Sequence, residues 1–179
     1  MCIRDRWKSV QWKKQGVKVP FIKENTTITI HPKSGNYRKV DFKIQLLAME
    51  ENLTIGGSED VKGYSGFSIR MVLPEDVLFS GPDGEIEPQN TAVESAGYVN
   101  VSGSLLDGNK KGGVVMLDNS ENPGYPQSWI LRKQNSMQNA AYPGQETIPV
   151  STTKPLVLKY SLLVYSGKLS DKKIQEIIK

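Results

Sequence analysis

Apolar side chains recur at every second position over long stretches of this chain, a spacing that fits a pleated backbone with one face buried. Val40, Phe42, Ile44 and Leu46 share one face, with Asp41, Lys43 and Gln45 on the other. Phe67, Ile69, Met71 and Leu73 alternate with Ser68, Arg70 and Val72. Leu156, Leu158, Tyr160, Leu162 and Val164 predict a long strand whose opposite face, from Val157 to Tyr165, is mixed. Residues 26–30 are all β-branched, which suits a half-buried pleated surface. Residues 113–117 read as a short central strand. Seven or more such segments predict an all-β chain, and we expect an antiparallel β-sandwich.

The punctuation agrees with strands joined by tight turns. In Pro82-Asp83-Gly84 the proline presets φ and the glycine accepts φ > 0. Asp107-Gly108-Asn109 and Ser34-Gly35-Asn36 separate further strand candidates in the same way. Only the tail predicts a helix: Ser170 can cap it, Asp171 suits its N-terminus, and Ile174, Ile177 and Ile178 fall on one face.

Several classes of protein are excluded early. The chain has 179 residues, the size of one domain with a real core. No apolar run approaches the ~18 residues of a membrane-spanning helix. A single cysteine, Cys2, allows no disulfide within the chain and no Cys-cluster zinc site. A single histidine, His31, allows no multi-histidine metal centre, so no metal ligand is assigned and the cofactor is left unknown. His31 itself reads as a strand-end histidine without a partner.

Charge is distributed unevenly. Residues 1–23 hold seven basic side chains (Arg4, Arg6, Lys8, Lys13, Lys14, Lys18, Lys23) against Asp5, a net +6. The remaining 156 residues carry 16 basic and 18 acidic groups, a net −2. A nucleic-acid partner needs a basic stripe across the folded surface, and after residue 23 the sequence shows none, so none is expected. Met1-Cys2-Ile3-Arg4-Asp5-Arg6 is not a signal peptide, because no apolar stretch follows it. It is similar to translated adaptor sequence from environmental reads. The expectation is therefore a non-native leader over 1–6 and a β-sandwich domain over 7–179.

Residues 118–146 break the strand pattern. Asp118 to Trp129 is polar, with two prolines and two aromatics, and 134–144 is rich in Asn, Gln, Ala and Gly. A long irregular stretch in a compact β domain tends to carry function.

That stretch also carries a resemblance. Gly112-Gly113-Val114-Val115-Met116-Leu117-Asp118 is followed by Asn122-Pro123-Gly124-Tyr125-Pro126-Gln127-Ser128-Trp129 and then by Ile130-Leu131-Arg132. Upstream lie Gly66-Phe67-Ser68-Ile69-Arg70 and Gly97-Tyr98-Val99-Asn100-Val101-Ser102-Gly103, and downstream Tyr160-Ser161-Leu162-Leu163-Val164-Tyr165-Ser166-Gly167. These segments, over residues 7–178, resemble the methane oxygenase PmoA-like family of bacterial domains of unknown function. The family pattern has histidines where this chain has Asn119, Tyr125 and Tyr165, which removes imidazole chemistry at those positions. Its N-terminal half, with an Asp-His-x-His-His motif, has no counterpart here, so the chain is expected to be the C-terminal part of a longer domain. The resemblance implies part of a galactose mutarotase-like supersandwich. It implies a carbohydrate-active or carbohydrate-binding role in bacterial polysaccharide breakdown, periplasmic or secreted if a signal peptide precedes the chain. The rivals are a non-catalytic structural or binding module and a metal-dependent oxidoreductase; whether the chain is an enzyme, and its oligomeric state, stay open.

The candidate catalytic residues are Asp118, Arg132 and Arg70. Asp118 ends a strand and can act as a general acid or base or hold a sugar hydroxyl; equally, it can close an Asx-turn. Each arginine lies beside apolar neighbours and can clamp a carboxylate or stack on a ring, or simply face solvent. The candidate ligand-binding residues are Tyr98, Asn122, Tyr125, Trp129 and Tyr142, because aromatic faces pack on sugar rings and amides bond hydroxyls. Trp129 also suits the core. Glu85 and Glu87 form a same-side carboxylate pair, but directly after a turn they read as a solvated hairpin.

Overall fold

The computed structural model describes residues 1–57, 61–134 and 137–178. Thirteen strands and one helix are found among them. The strands are β1 (Cys2–Lys14), β2 (Val17–Ile30), β3 (Tyr37–Ala48), β4 (Thr54–Gly56), β5 (Phe67–Arg70), β6 (Leu78–Gly81), β7 (Gly84–Glu85), β8 (Tyr98–Leu106), β9 (Lys110–Asp118), β10 (Ser128–Ile130), β11 (Met137–Ala141), β12 (Thr147–Pro149) and β13 (Leu156–Ser166). The helix is α1 (Asp171–Ile178). Eight strands form one sheet in the order β1-β2-β3-β13-β9-β8-β6-β7, β10-β11-β5 form a second, and β12-β4 a third. Every pairing is antiparallel, and the large sheet is not closed into a barrel.

The two small sheets lie against one face of the large one. Val99 and Val101 of β8, Met116 of β9, and Leu158 and Tyr160 of β13 pack with Trp129 of β10 and Ala140 of β11. Phe67 of β5 stacks on Tyr160 at 4.7 Å between ring centres and meets Phe42 of β3 at 5.0 Å. Farther along the same face, Ile22, Leu46 and Ala48 pack with Leu53 and Val150, beside β4 and β12. This is the all-β sandwich that the alternation predicts, with an unequal number of strands in its two layers.

The opposite face explains why β13 is mixed. Leu163 and Tyr165 there pack with Tyr98, Val115 and Leu117 beneath Ile174 of α1, whereas Lys159 and Ser161 lie outside that patch. Ser170 caps the helix as expected, its Oγ accepting from Lys173 N–H at 3.2 Å. A side chain at Gly113 would meet Val101 O at 2.7 Å and the Tyr165 hydroxyl, so the bare backbone lets the Tyr165 ring lie across β9. From there the Tyr165 hydroxyl donates to Asn100 Oδ1 at 2.9 Å.

Three local expectations are corrected. The alternation over 67–73 yields a strand only as far as Arg70. The stretch 118–146 is not irregular throughout: it contains β10 and β11, although 135 and 136 lie outside the described residues. His31 has a partner, with Nε2 at 2.6 Å from Asp41 Oδ2. The two sit where β2 and β3 run side by side, a pairing that alternation within either strand does not reveal. Residues 2–6 pair with β2 as the outermost part of β1.

Candidate functional site

Asp118 is the last residue of β9, opposite Tyr160 in register, and shares the covered face with Met116. The chain then turns through 119–127, and the turn folds back onto this carboxylate. Asn122 Nδ2 donates to Asp118 Oδ1 at 2.8 Å and to Lys159 O at 2.6 Å, while Asn122 Oδ1 accepts from Lys159 N–H at 2.7 Å. Asp118 Oδ2 accepts from Gln127 N–H at 3.2 Å, and the Tyr160 hydroxyl donates to Gln127 Oε1 at 3.2 Å. Burial pushes the Asp118 carboxyl above the usual carboxylate range, partly offset by the donors from Asn122, Gln127 and Asn119. The Tyr160 phenol is pushed up by burial and by the neighbouring Asp118. A buried polar network in which each group has partners rigidifies what it joins. Asp118 and Asn122 are thus brought together, in the role of a clamp between the loop and β13.

The two arginines lie away from this network. Arg132 follows β10 at the far end of the small sheet. Its Nη1 donates to Gln89 O at 2.6 Å and Leu131 O at 2.7 Å, and its Nη2 to Asn90 O at 3.0 Å. Its Nε donates to the Tyr64 hydroxyl at 3.1 Å, with the guanidinium 5.4 Å from the Tyr64 ring centre. A guanidinium has five N–H donors, and the bonds at Nε, Nη1 and Nη2 tie it to neighbouring chain segments. Arg70 points away from the core side of β5, where Phe67 and Ile69 pack, and is exposed. It forms no ion pair among the described residues.

The aromatic candidates also separate. Trp129 is fully buried in the core and its Nε1 donates to Ser95 O at 3.0 Å. Tyr98 and Tyr125 border a cavity of about 360 Å³ beside α1, which Asp118 also lines, with Gly97, Asn119 and Gln175. Burial raises the Tyr98 phenol, and its hydroxyl is buried without a hydrogen bond of good geometry, Gln175 being its polar neighbour. Tyr142 borders a different cleft of about 730 Å³, on the side of the small sheet. Glu94, Pro126, Gln127, Pro143 and Glu146 line that cleft with it. Tyr142 is half-buried, and burial raises its phenol, which keeps it a neutral hydrogen-bond donor.

Gln127, Glu94 and Glu146 are absent from the candidates read from sequence. Gln127 lies within the Asn-Pro-x-x-Pro-x-x-Trp segment and could have been found there; the glutamates come from loops that only the fold brings together. Glu85 and Glu87 are exposed beside their hairpin, and Glu87 pairs with Lys133 at 2.7 Å. Among the described residues no three His, Cys, Asp or Glu side chains are grouped as a metal site, and no helix is long and apolar enough to cross a membrane.

The open eight-stranded sheet, faced by two small sheets and a polar loop clamp, places the molecule among antiparallel β-sandwich domains with loop-built clefts. More closely, the chain belongs to the family of unknown function DUF6807, whose model matches residues 6–179. No curated protein and no solved structure matches it.

Proposed function

We propose that this protein binds saccharides in the cleft beside Tyr142, as a module of an exported bacterial protein of polysaccharide breakdown. The observation that carries the reading is the makeup of that cleft, in which Tyr142 and two glutamates, Glu94 and Glu146, line one space of about 730 Å³. An aromatic face covers the apolar side of a pyranose, and carboxylates accept from its hydroxyls. The volume lies within the range of small-molecule sites. The sequence resemblance to PmoA-like domains, with the galactose mutarotase-like fold it implies, supports the reading by analogy alone.

Binding is favoured over turnover because Asp118 and Arg132 are held by bonds within the chain. Titrating the protein calorimetrically with neutral xylo-, cello- and galacto-oligosaccharides tests the reading. At least one series should bind, Tyr142→Ala should weaken it at least tenfold, and Arg70→Ala should leave it unchanged. The reading is overturned if no series binds, or if binding survives Tyr142→Ala unaltered.

A further inference from the structure

A negative charge lies on the covered face of the large sheet with no cation to answer it. In β2, alternation puts Ile22, Glu24 and Thr26 on one face, opposite Ala48, Leu46 and Ile44 of β3 in register. Ile22 and Thr26 are buried there, and Glu24 between them is half-buried. Each Glu24 oxygen accepts one neutral donor: Trp7 Nε1–H from β1 at 2.8 Å and the Thr26 hydroxyl at 2.5 Å. Glu24 forms no ion pair among the described residues. Drawing a carboxylate onto an apolar face without a cation costs stability. A carboxylate offers about four lone-pair sites, so two donors leave acceptor capacity free.

Glu24 borders a pocket of about 260 Å³ between the large sheet and the small ones. Four aromatic residues line it too: Trp7, Phe67 of β5, Tyr142, and Tyr160 of β13. Phe67 and Tyr160 are stacked on one another and form one wall. Apolar side chains of β3 and β13 complete the lining, and among the described residues no Lys, Arg or His borders it. Two of its hydroxyls are already committed. Ser65 Oγ donates to Gly63 O and accepts from Gly144 N–H, both at 3.0 Å, and the Tyr160 hydroxyl donates to Gln127. These features select the occupant. Ring faces and a carboxylate together attract a cation, and such cages suit a charge spread over methyl groups. A sugar or a primary ammonium brings several donors that each need an acceptor, and Glu24 is the one charged acceptor in this lining. A quaternary ammonium needs no acceptor, only a counter-charge and apolar contact. The volume is just below the ~300–1,000 Å³ of drug-sized sites, which suits a headgroup rather than a long chain.

We propose that the pocket bordered by Trp7, Glu24 and Tyr142 binds a trimethylammonium group, its methyls against the aromatic residues and its charge balanced by Glu24. Tyr142 also borders the saccharide cleft, but Trp7 and Glu24 do not, so the proposal does not rest on that reading. Both residues lie within the family-matched part of the chain.

Calorimetric titration of the full chain with choline chloride tests it, at an ionic strength held constant with sodium chloride. The control is 3,3-dimethylbutan-1-ol, which has the shape of choline with carbon in place of the charged nitrogen. Choline should bind, and the neutral alcohol should bind at least tenfold more weakly. Glu24→Gln keeps the size of the side chain and an acceptor for Trp7 Nε1–H. It should weaken choline at least tenfold while unfolding at a temperature close to the parent's. Trp7→Leu should weaken choline severalfold. The choline–alcohol comparison uses the parent chain, so it decides the matter even if a variant fails to fold. Co-sedimentation with phosphatidylcholine vesicles separates two sources of the same group: sedimentation that choline competes away assigns a lipid headgroup, and choline binding without sedimentation assigns a free solute. No choline binding, equal binding of the neutral alcohol, or choline binding unaltered by Glu24→Gln would each overturn the proposal. Glu24→Gln should leave oligosaccharide binding in the cleft unchanged, so the two sites fail or succeed separately.

Discussion

Asp118 and Asp41 lie one row apart in the register of the same sheet, on opposite faces, and are held in opposite ways. Asp118, on the covered face, has only neutral donors around it, and burial dominates: its carboxyl is pushed up. Asp41, on the outer face, is also raised by burial, but donors from Ser161 at 2.5 Å, His31 at 2.6 Å and Lys39 at 3.1 Å outweigh it and hold its carboxyl below the usual range. The difference teaches that hydrogen bonding alone does not decide the charge state of a carboxylate here. What decides it is whether its donors include a cation and how much water remains.

The comparison can be strained hardest by emptying the covered face. Trp129→Ala removes a fully buried ring between the sheets and should cost about 3–5 kcal/mol in denaturant unfolding. A loss below about 1 kcal/mol would mean that the small sheet does not pack as described. Next comes the clamp: Asn122→Ala leaves Lys159 N–H and one side of Asp118 unpaired and should cost about 1–3 kcal/mol. Amide exchange should then quicken over 119–127 well before it quickens in β9.

The two aspartates themselves give opposite pH signatures. Because the folded pKa of Asp118 is raised, stability rises as pH falls through it and levels off near the unfolded value of about 4. The lowered pKa of Asp41 means that its contribution is present above pH ~4 and is lost as pH falls through the folded value. Unfolding curves of Asp118→Asn and Asp41→Asn between pH 3 and 7, each subtracted from the parent, should slope in opposite directions. The same sign for both would undo the contrast. The smallest effect should come from Arg70→Ala, exposed and without an ion pair, within about 0.5 kcal/mol of the parent by thermal unfolding.

Much of the large sheet was legible in the sequence because its strands carry the two-residue period that one buried face imposes. β3, β9, β13 and α1 are found where Phe42, Val115, Leu158 and Ile174 place them. β11 was not legible, for a physical reason. Gln138 and Asn139 are fully buried, yet their side chains bond backbone: Gln138 exchanges bonds with Arg132 N–H and O, and Asn139 donates to Ser65 O. Polar residues buried and bonded to backbone in this way look like a loop to any pattern built on hydrophobicity. The leading site candidates met the reverse difficulty. Asp118, Asn122 and Arg132 have the residue types of a reactive centre, and sequence alone cannot show that their bonding capacity is taken up inside the chain. The Tyr142 cleft depends on loops that are distant in sequence and adjacent only after folding.

β1 is the outermost strand of the large sheet, so one side of its backbone has no strand neighbour among the described residues. An open edge of thirteen residues is an invitation to strand-to-strand polymerisation, and charged side chains are the usual gatekeepers against it. Lys8 and Lys13, in no ion pair among the described residues, therefore hold copies of the protein apart through mutual repulsion. Whatever neutralises them, high ionic strength above all, lowers that barrier, and the charge along this edge then sets how readily neighbouring molecules line up along it.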